Sequence, residues 1–162
     1  MKTLISYFLL ISLLVSACEK LEDQTSVNYD QPFSTKVFIY DKGKFNAISK
    51  KDFLKKWEQQ VYEMKGINLT LENPKIVKQE NGTLILVAKS TDGATKMATV
   101  VTLENGQIKS NNSSTCTCTG CAEGCNPEYI SGNKWRCTPC SDITEDCEKS
   151  VTATTEPTPE GE

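Results

Sequence analysis

The alternation of apolar and polar residues between positions 49 and 66 has the period of an amphipathic helix. The apolar positions of that pattern are Phe53, Leu54, Trp57, Val61 and Met64. Ser49 can cap the first turn with Asp52 as the acidic partner of a capping box, and Gly66 is suited to end the helix. We therefore predict one helix whose aromatic stripe packs against a hydrophobic core rather than against a ligand.

Short runs of β-branched and aliphatic residues before and after this helix predict strands at residues 37–40, 45–48, 69–77, 83–88 and 97–103. Three dipeptides that tolerate positive φ separate the later runs, namely Asn81-Gly82, Asp92-Gly93 and Asn105-Gly106. Pro74 indicates a bulge or an edge strand. The pattern predicts a four-stranded antiparallel meander that ends near Ile108, with the helix across one face and the N-terminal strands extending the sheet.

The predicted fold class is α+β, with one helix packed on an antiparallel β-meander and a small cysteine-rich module after it. This order of elements is similar to the cystatin-like architecture. The inhibitory hairpin of cystatins carries a Gln-x-Val-x-Gly motif, whereas this chain has Gln79-Glu80-Asn81-Gly82 at the first hairpin. The resemblance therefore concerns the fold and does not imply protease inhibition.

A short apolar segment at residues 4–14 runs almost directly into Cys18. It is shorter than the roughly 20 apolar residues of a transmembrane helix, and its basic start and small exit residues are typical of a secretory signal. The quartet Val15-Ser16-Ala17-Cys18 resembles the lipobox of bacterial lipoproteins. That resemblance implies cleavage before Cys18, acylation of Cys18 with palmitate or a similar chain, and a lipid-anchored location in the bacterial cell envelope, at the outer membrane.

The chain divides by composition into five segments. We predict a signal peptide at 1–17, a lipidated tether at 18–34, the α+β domain at 35–110, a cysteine-rich module at 111–147 and a disordered tail at 148–162. In the tether, Lys20, Glu22 and Asp23 resemble the export signal of surface lipoproteins in Bacteroidota, although an ordinary solvated linker has the same composition.

Charge and composition exclude several kinds of function. The net charge of −3 argues against a nucleic-acid partner, which needs a basic surface, and leaves the lipid as the attachment to the membrane. The chain contains no histidine, so Ser-His and Cys-His nucleophile pairs and imidazole metal ligands are excluded. We predict no catalytic residue and no enzymatic activity.

Seven cysteines lie in a segment with few aliphatic residues, which therefore needs cross-links to hold it. They are Cys116, Cys118, Cys121, Cys125, Cys137, Cys140 and Cys147. An exported chain meets an oxidising compartment, which favours disulfides, although an odd number leaves one thiol over. The alternative is zinc, because the spacing of Cys118, Cys121, Cys137 and Cys140 is typical of a four-cysteine zinc ribbon. In the disulfide interpretation the protein has no cofactor.

The predicted function is an interaction or structural role at the envelope, with an unknown protein or surface ligand as the partner. Tyr129, Ile130 and Trp135 are the candidate contact residues because aromatic side chains on a rigid loop make effective anchors. Trp135 can instead pack on the disulfides or on the neighbouring sheet. The enzymatic alternative is thiol–disulfide exchange by Cys137 and Cys140, which form a Cys-x-x-Cys pair.

Overall fold

A computed structural model of the protein describes residues 36–111 and 113–153. This part of the chain forms one helix, α1 (Lys50–Lys65), and ten strands. The strands are β1 (Val37–Asp41), β2 (Lys44–Ile48), β3 (Leu71–Lys78), β4 (Leu84–Ser90), β5 (Thr95–Glu104), β6 (Gln107–Ser110), β7 (Ser114–Thr119), β8 (Pro127–Ser131), β9 (Lys134–Cys137) and β10 (Glu148–Ala153). The predicted signal peptide, Cys18 and the predicted tether lie outside the described residues.

Helix α1 begins and ends at the two capping residues that the sequence predicted, Ser49 and Gly66. The hydroxyl of Ser49 accepts a hydrogen bond from the amide of Asp52 at 3.1 Å, and Gly66 closes the helix with a left-handed φ of 67°. Phe53, Trp57 and Val61 are buried, as predicted, whereas Met64 is 38% exposed and leaves the stripe. No helix within the described ranges is both long enough and apolar enough to cross a membrane.

The predicted meander is present as four consecutive strands. Strands β3, β4, β5 and β6 pair antiparallel in chain order. The register of β3 shifts between Glu72 and Lys75, so Pro74 lies in a bulge, as its missing amide hydrogen requires. At the tight turn between β5 and β6, both Asn105 and Gly106 have positive φ. The dipeptide therefore supplies the backbone geometry that the sequence predicted.

The N-terminal hairpin extends the sheet beyond β6. Strands β1 and β2 pair antiparallel, and β1 then lies parallel to β6 with Val37 opposite Ile108. Both of these residues are buried, so the parallel contact continues the hydrophobic core beneath α1. The expectation that the first strands extend the sheet is confirmed.

The cysteine-rich segment differs from its prediction because its strand β7, together with β10 from the predicted tail, belongs to the same sheet as the meander. Strand β7 pairs with the first half of β5, from Thr95 opposite Thr119 to Thr99 opposite Thr115. Strand β10 then pairs with β7 along its whole length. Residues 148–153 are thus a strand and not part of a disordered tail. The ten residues of β5 are too many for the short β6 to cover, which leaves an edge for β7.

The sheet has two faces, which we call the helix face and the open face. On the helix face, a core cluster joins α1 to alternate residues of the strands, among them Val37, Leu71, Ile76, Leu86, Met97, Val101 and Ile108. On the open face, a second cluster consists of Ile85, Ala98, Cys116, Cys118, Cys121, Cys125 and Trp135. The separate two-stranded sheet β8–β9 contributes Trp135 to this cluster and partly covers the open face.

Candidate functional site on the open face

Three disulfides hold the cysteine-rich segment against the open face. They join Cys118 to Cys137, Cys121 to Cys140 and Cys125 to Cys147. Each bridge ties β7 or the loop after it to β9 or to the chain that leads into β10. The bridged residues are 19, 19 and 22 positions apart, so each contributes roughly 2–4 kcal/mol by restricting the unfolded chain. The prediction of a disulfide-rich segment is confirmed.

Trp135 of β9 is the main apolar contact between the hairpin and the sheet. Its indole is 3% exposed, and its Nε1 donates a hydrogen bond to the hydroxyl of Ser114 on β7 at 2.9 Å. The ring of Tyr129 packs edge-on against it at 5.2 Å between centroids. Trp135 therefore packs on the sheet and offers no surface to a partner, whereas Ile130 is 53% exposed and Tyr129 is half-buried.

The segment has an odd number of cysteines, and Cys116 is the one that forms no disulfide. It is the one free cysteine among the described residues, and it is completely buried under the hairpin beside Cys118. Burial raises the pKa of the Cys116 thiol to about 11, although the charge of Lys149 acts in the opposite direction. The thiol is therefore protonated and a poor nucleophile at neutral pH, so we assign it a packing role.

The four predicted zinc ligands do not come together as one group. Cys118 and Cys137 share one bridge, and Cys121 and Cys140 share another. The sulfur atoms that lie within 4.8 Å of one another belong instead to Cys118, Cys125, Cys137 and Cys147. A zinc site needs free thiolates, and all of these sulfurs are bonded in pairs. The residues as arranged do not fit a zinc ribbon.

The predicted redox pair is also divided between two bridges. A thiol–disulfide exchanger of the Cys-x-x-Cys type oxidises and reduces a bond between its own two cysteines. Here Cys137 is bonded to Cys118 and Cys140 to Cys121, so that bond is not formed. Moreover, Cys118 is fully buried, so its sulfur is not accessible to a substrate disulfide, whereas Cys137 is half-buried.

A cleft lies on the open face between the hairpin and strands β3 and β4. Its volume is about 560 Å³, within the range of about 300–1,000 Å³ that is usual for ligand sites. The lining residues come from β3, β4, β5 and β8 and from the residues next to β3 and β8, and they are Asn73, Lys75, Val77, Gln79, Ile85, Val87, Ala88, Lys89, Lys96, Asn126 and Pro127. Among the described residues, the lining contains three lysines and no carboxylate.

The register of the strands places the three lysines together. Lys89 of β4 and Lys96 of β5 are direct cross-strand partners, and Lys75 lies opposite Val87, one pleat further along. Burial lowers the pKa of Lys96, and the positive charges of Lys89 and Lys75 lower it further. The carboxylate of Glu123 acts on this pKa in the opposite direction. Like charges directly opposite each other destabilise a sheet, so this arrangement has an energetic cost.

Lys96 also fixes the loop that forms one wall of the cleft. Its Nζ donates to the carbonyl of Gly124 at 3.1 Å and to Oδ1 of Asn126 at 2.7 Å. Gly124 has a φ of 71°, and a Cβ on it would lie 2.4 Å from the carbonyl oxygen of Gly93. Only glycine allows this loop to approach the β4–β5 turn so closely. The wall is therefore attached to the sheet by a lysine as well as by the bridges.

The far side of the hairpin is attached to the β3–β4 turn. The amide of Tyr129 donates to Oε1 of Gln79 at 3.3 Å, and Nδ2 of Asn81 donates to the Tyr129 carbonyl at 3.4 Å. The hairpin is thus held at both ends over the sheet, and the cleft beside it is a formed feature rather than a gap between independent parts.

Sequence reasoning placed the candidate site on the cysteine-rich segment and missed these lysines. Lys75, Lys89 and Lys96 lie in three different strands, so only the register shows that they are neighbours. A signal was present, because each lysine interrupts the apolar alternation on the same face of its strand. The sequence predicted that these strands pair in chain order, but it did not give the register, which the bulge between Glu72 and Lys75 shifts.

Comparisons with protein-family models, with curated proteins and with solved structures find no match to this chain.

Proposed function

We propose that this chain is a lipid-anchored protein of the bacterial cell envelope that binds a ligand in the cleft of its open face and does not catalyse a reaction. The lipobox-like quartet that ends in Cys18 supports the anchor and the outer-membrane location. The bridges support an oxidising compartment, since disulfides persist outside the cytosol. The order of strand, helix and meander is similar to that of the cystatin-like architecture, and we propose this similarity for the fold alone.

The observation that carries the binding proposal is the composition of the cleft. Lys75, Lys89 and Lys96 share one apolar surface, and the repulsion between the facing Lys89 and Lys96 opposes folding, although Lys96 also holds the hairpin loop. A loss of stability of this kind is typical of functional sites, where residues that bind a ligand are retained although they destabilise the fold. The ligand surface is therefore the cleft beside the hairpin, and not the buried Trp135.

The two alternatives, thiol–disulfide exchange and a zinc-ribbon module, have less support. Both need a grouping of Cys137 and Cys140 that differs from the observed bridges. Intact mass after alkylation, with and without reduction, separates the three cases. The proposal expects three bridges and no metal, whereas four free thiolates with bound zinc would replace it by the metal-binding alternative.

The anchor is tested with Cys18→Ser. Thioether formation needs the Cys18 sulfur, so we expect the variant to lose fatty-acid labelling and to stay unprocessed at that position. Incorporation of labelled palmitate at the wild-type level would contradict the lipid anchor.

The binding role is tested by filling the cleft. Residues 19–162, exported without the lipid, contain the whole described structure and can be titrated with naphthoate, naphthamide and naphthylmethylammonium, which share one ring system. Val87→Trp places a large side chain in the cleft, and Thr102→Trp places the same side chain on an exposed residue of β5 outside it.

We expect at least one of the three probes to bind the wild type and Thr102→Trp but not Val87→Trp, by calorimetry. Thermal unfolding of both variants checks that they are folded. Failure of all three probes to bind, or binding that Val87→Trp leaves intact, would remove the cleft as the ligand site.

A further inference from the structure

We infer that the ligand of the cleft is an organic carboxylate with an apolar body, its acid group held between Lys89 and Lys96 and its body lying on Val77, Ile85 and Val87. This inference rests on the proposed binding function and adds the chemical class of the ligand.

The charge of the cleft selects an anion. Lys89 is exposed and Lys96 is half-buried, and they face each other across two paired strands. A carboxylate that accepts hydrogen bonds from both ammonium groups would offset their repulsion and form charge-assisted bonds. Two lysines side by side therefore match the two oxygens of one acid group.

The two acidic side chains nearest to the lysine pair lie outside the cleft. Glu72 is the cross-strand partner of Lys89 on its other side, and the charge of Glu123 acts on Lys96. Neither glutamate lines the cleft. Among the described lining residues, the lysine pair is therefore not accompanied by a carboxylate.

The floor of the cleft selects a ligand that is more than a simple ion. Val77 and Val87 are half-buried, and Ile85 between them is buried beneath the cleft, while Pro127 forms the wall on the hairpin side. Inorganic anions are strongly hydrated and gain nothing from such a surface. An apolar body gains about 25 cal/mol for each square ångström that it removes from water. The apolar floor and the lysine pair together therefore fit an amphiphilic acid.

Gln79, which directly follows β3, lines the cleft near the β3–β4 turn and already accepts a hydrogen bond from the amide of Tyr129. The lysine pair lies toward the β4–β5 turn, so the ligand runs with its acid group toward that turn and its body toward the β3–β4 turn.

The test compares the charge of probes that share one shape. Residues 19–162 are titrated by calorimetry with naphthoate, with naphthamide as the neutral probe, with naphthylmethylammonium as the cation and with acetate as the acid group alone. We expect naphthoate to bind at least about tenfold more tightly than the other three, because only naphthoate uses both the lysines and the apolar floor. Its affinity should fall as salt is added.

Variants of the lysines separate the acid group from the fold. Lys89→Gln should weaken naphthoate binding about tenfold, Lys89→Arg should retain most of it, and Lys55→Gln on the exposed side of α1 should leave it unchanged.

The outcomes distinguish this inference from the function on which it rests. Naphthamide that binds as tightly as naphthoate, with no effect of Lys89→Gln, would overturn the carboxylate assignment while the cleft stays a binding site. Binding of acetate as tight as that of naphthoate would show that the apolar floor plays no part and would also overturn it. If Val87→Trp leaves naphthoate binding intact, the binding function itself fails.

Discussion

The two faces of the sheet are stabilised in different ways. On the helix face, α1 buries Phe53, Trp57 and Val61 against a continuous apolar core, without any covalent link. On the open face, a short hairpin contributes one buried indole, and three bridges hold it in place. Covalent links make the hairpin independent of a large apolar area. The open face can therefore carry three lysines and a cleft that a conventional core would have to exclude.

The largest effect is expected from Trp57→Ala on the helix face. The indole is 3% exposed and packs on Phe53 at 4.5 Å between ring centroids. Its removal should lower the free energy of unfolding by about 3–5 kcal/mol, measured by denaturant titration. Tyr62→Ala on the same helix, where the ring is 49% exposed, is the control and should cost little. Equal losses for the two variants would show that the helix face is not the main apolar core.

The next effect is expected from removal of one bridge on the open face. Cys121→Ala with Cys140→Ala should lower the free energy of unfolding by about 2–4 kcal/mol, because the unfolded chain regains the freedom of a closed loop. Hydrogen exchange should show faster opening of β8 and β9, while α1 and β4 stay protected. Cys116→Ala, which removes a thiol without removing a bridge, is the control. A loss of protection spread evenly over both faces would contradict the division between them.

A smaller effect is expected from the hydrogen bond beneath the hairpin. Trp135→Phe leaves the buried hydroxyl of Ser114 without the donor that it now has, so the variant should lose about 1–3 kcal/mol of stability. Tyr129→Phe removes only a hydroxyl from the half-buried neighbouring ring and should cost less. If the denaturant concentration at the midpoint of unfolding is the same for both variants and the wild type, the bridges alone hold the hairpin.

The helix face could be predicted from sequence because its signals are local. Ser49, Gly66 and the stripe between them fix α1, and the Asn-Gly and Asp-Gly turns fix the meander. Met64 is exposed because it lies in the last turn of the helix, where the core beneath it has ended. A helical period states which residues share a face but not how far the partner surface extends.

The open face could not be predicted because its signals depend on pairing between distant residues. Strand β7 is made of Ser, Thr and Cys, which carry little apolar pattern, and it exists because β5 offers it an edge. The partners of the bridges do not follow from cysteine spacing, since six cysteines allow many connectivities. Likewise, Lys89 and Lys96 become neighbours only once the register of β4 and β5 is known.

The smallest change in stability is expected when the repulsion between Lys89 and Lys96 is removed. This change should stabilise the protein, whereas the truncation on the helix face should destabilise it. Lys89→Gln should raise the free energy of unfolding by about 0.2–1 kcal/mol, because it removes one of two opposed like charges. The gain should shrink at high salt, and Lys55→Gln on α1 should change little. If Lys89→Gln is instead less stable than the wild type, the attraction between Lys89 and Glu72 outweighs the repulsion between Lys89 and Lys96. The lysine pair would then stabilise the fold, and its presence would not indicate a ligand site.

We propose that the open face is the ligand-binding face of this protein. Methyl NMR spectra of residues 19–162 during a titration with naphthoate show which face the probe contacts. We expect the methyl signals of Val77, Ile85 and Val87 to shift with a common affinity, while those of Val61, Leu86 and Val101 on the helix face stay in place. Shifts confined to the helix-face methyls, or no shifts at a high probe concentration, would contradict the account.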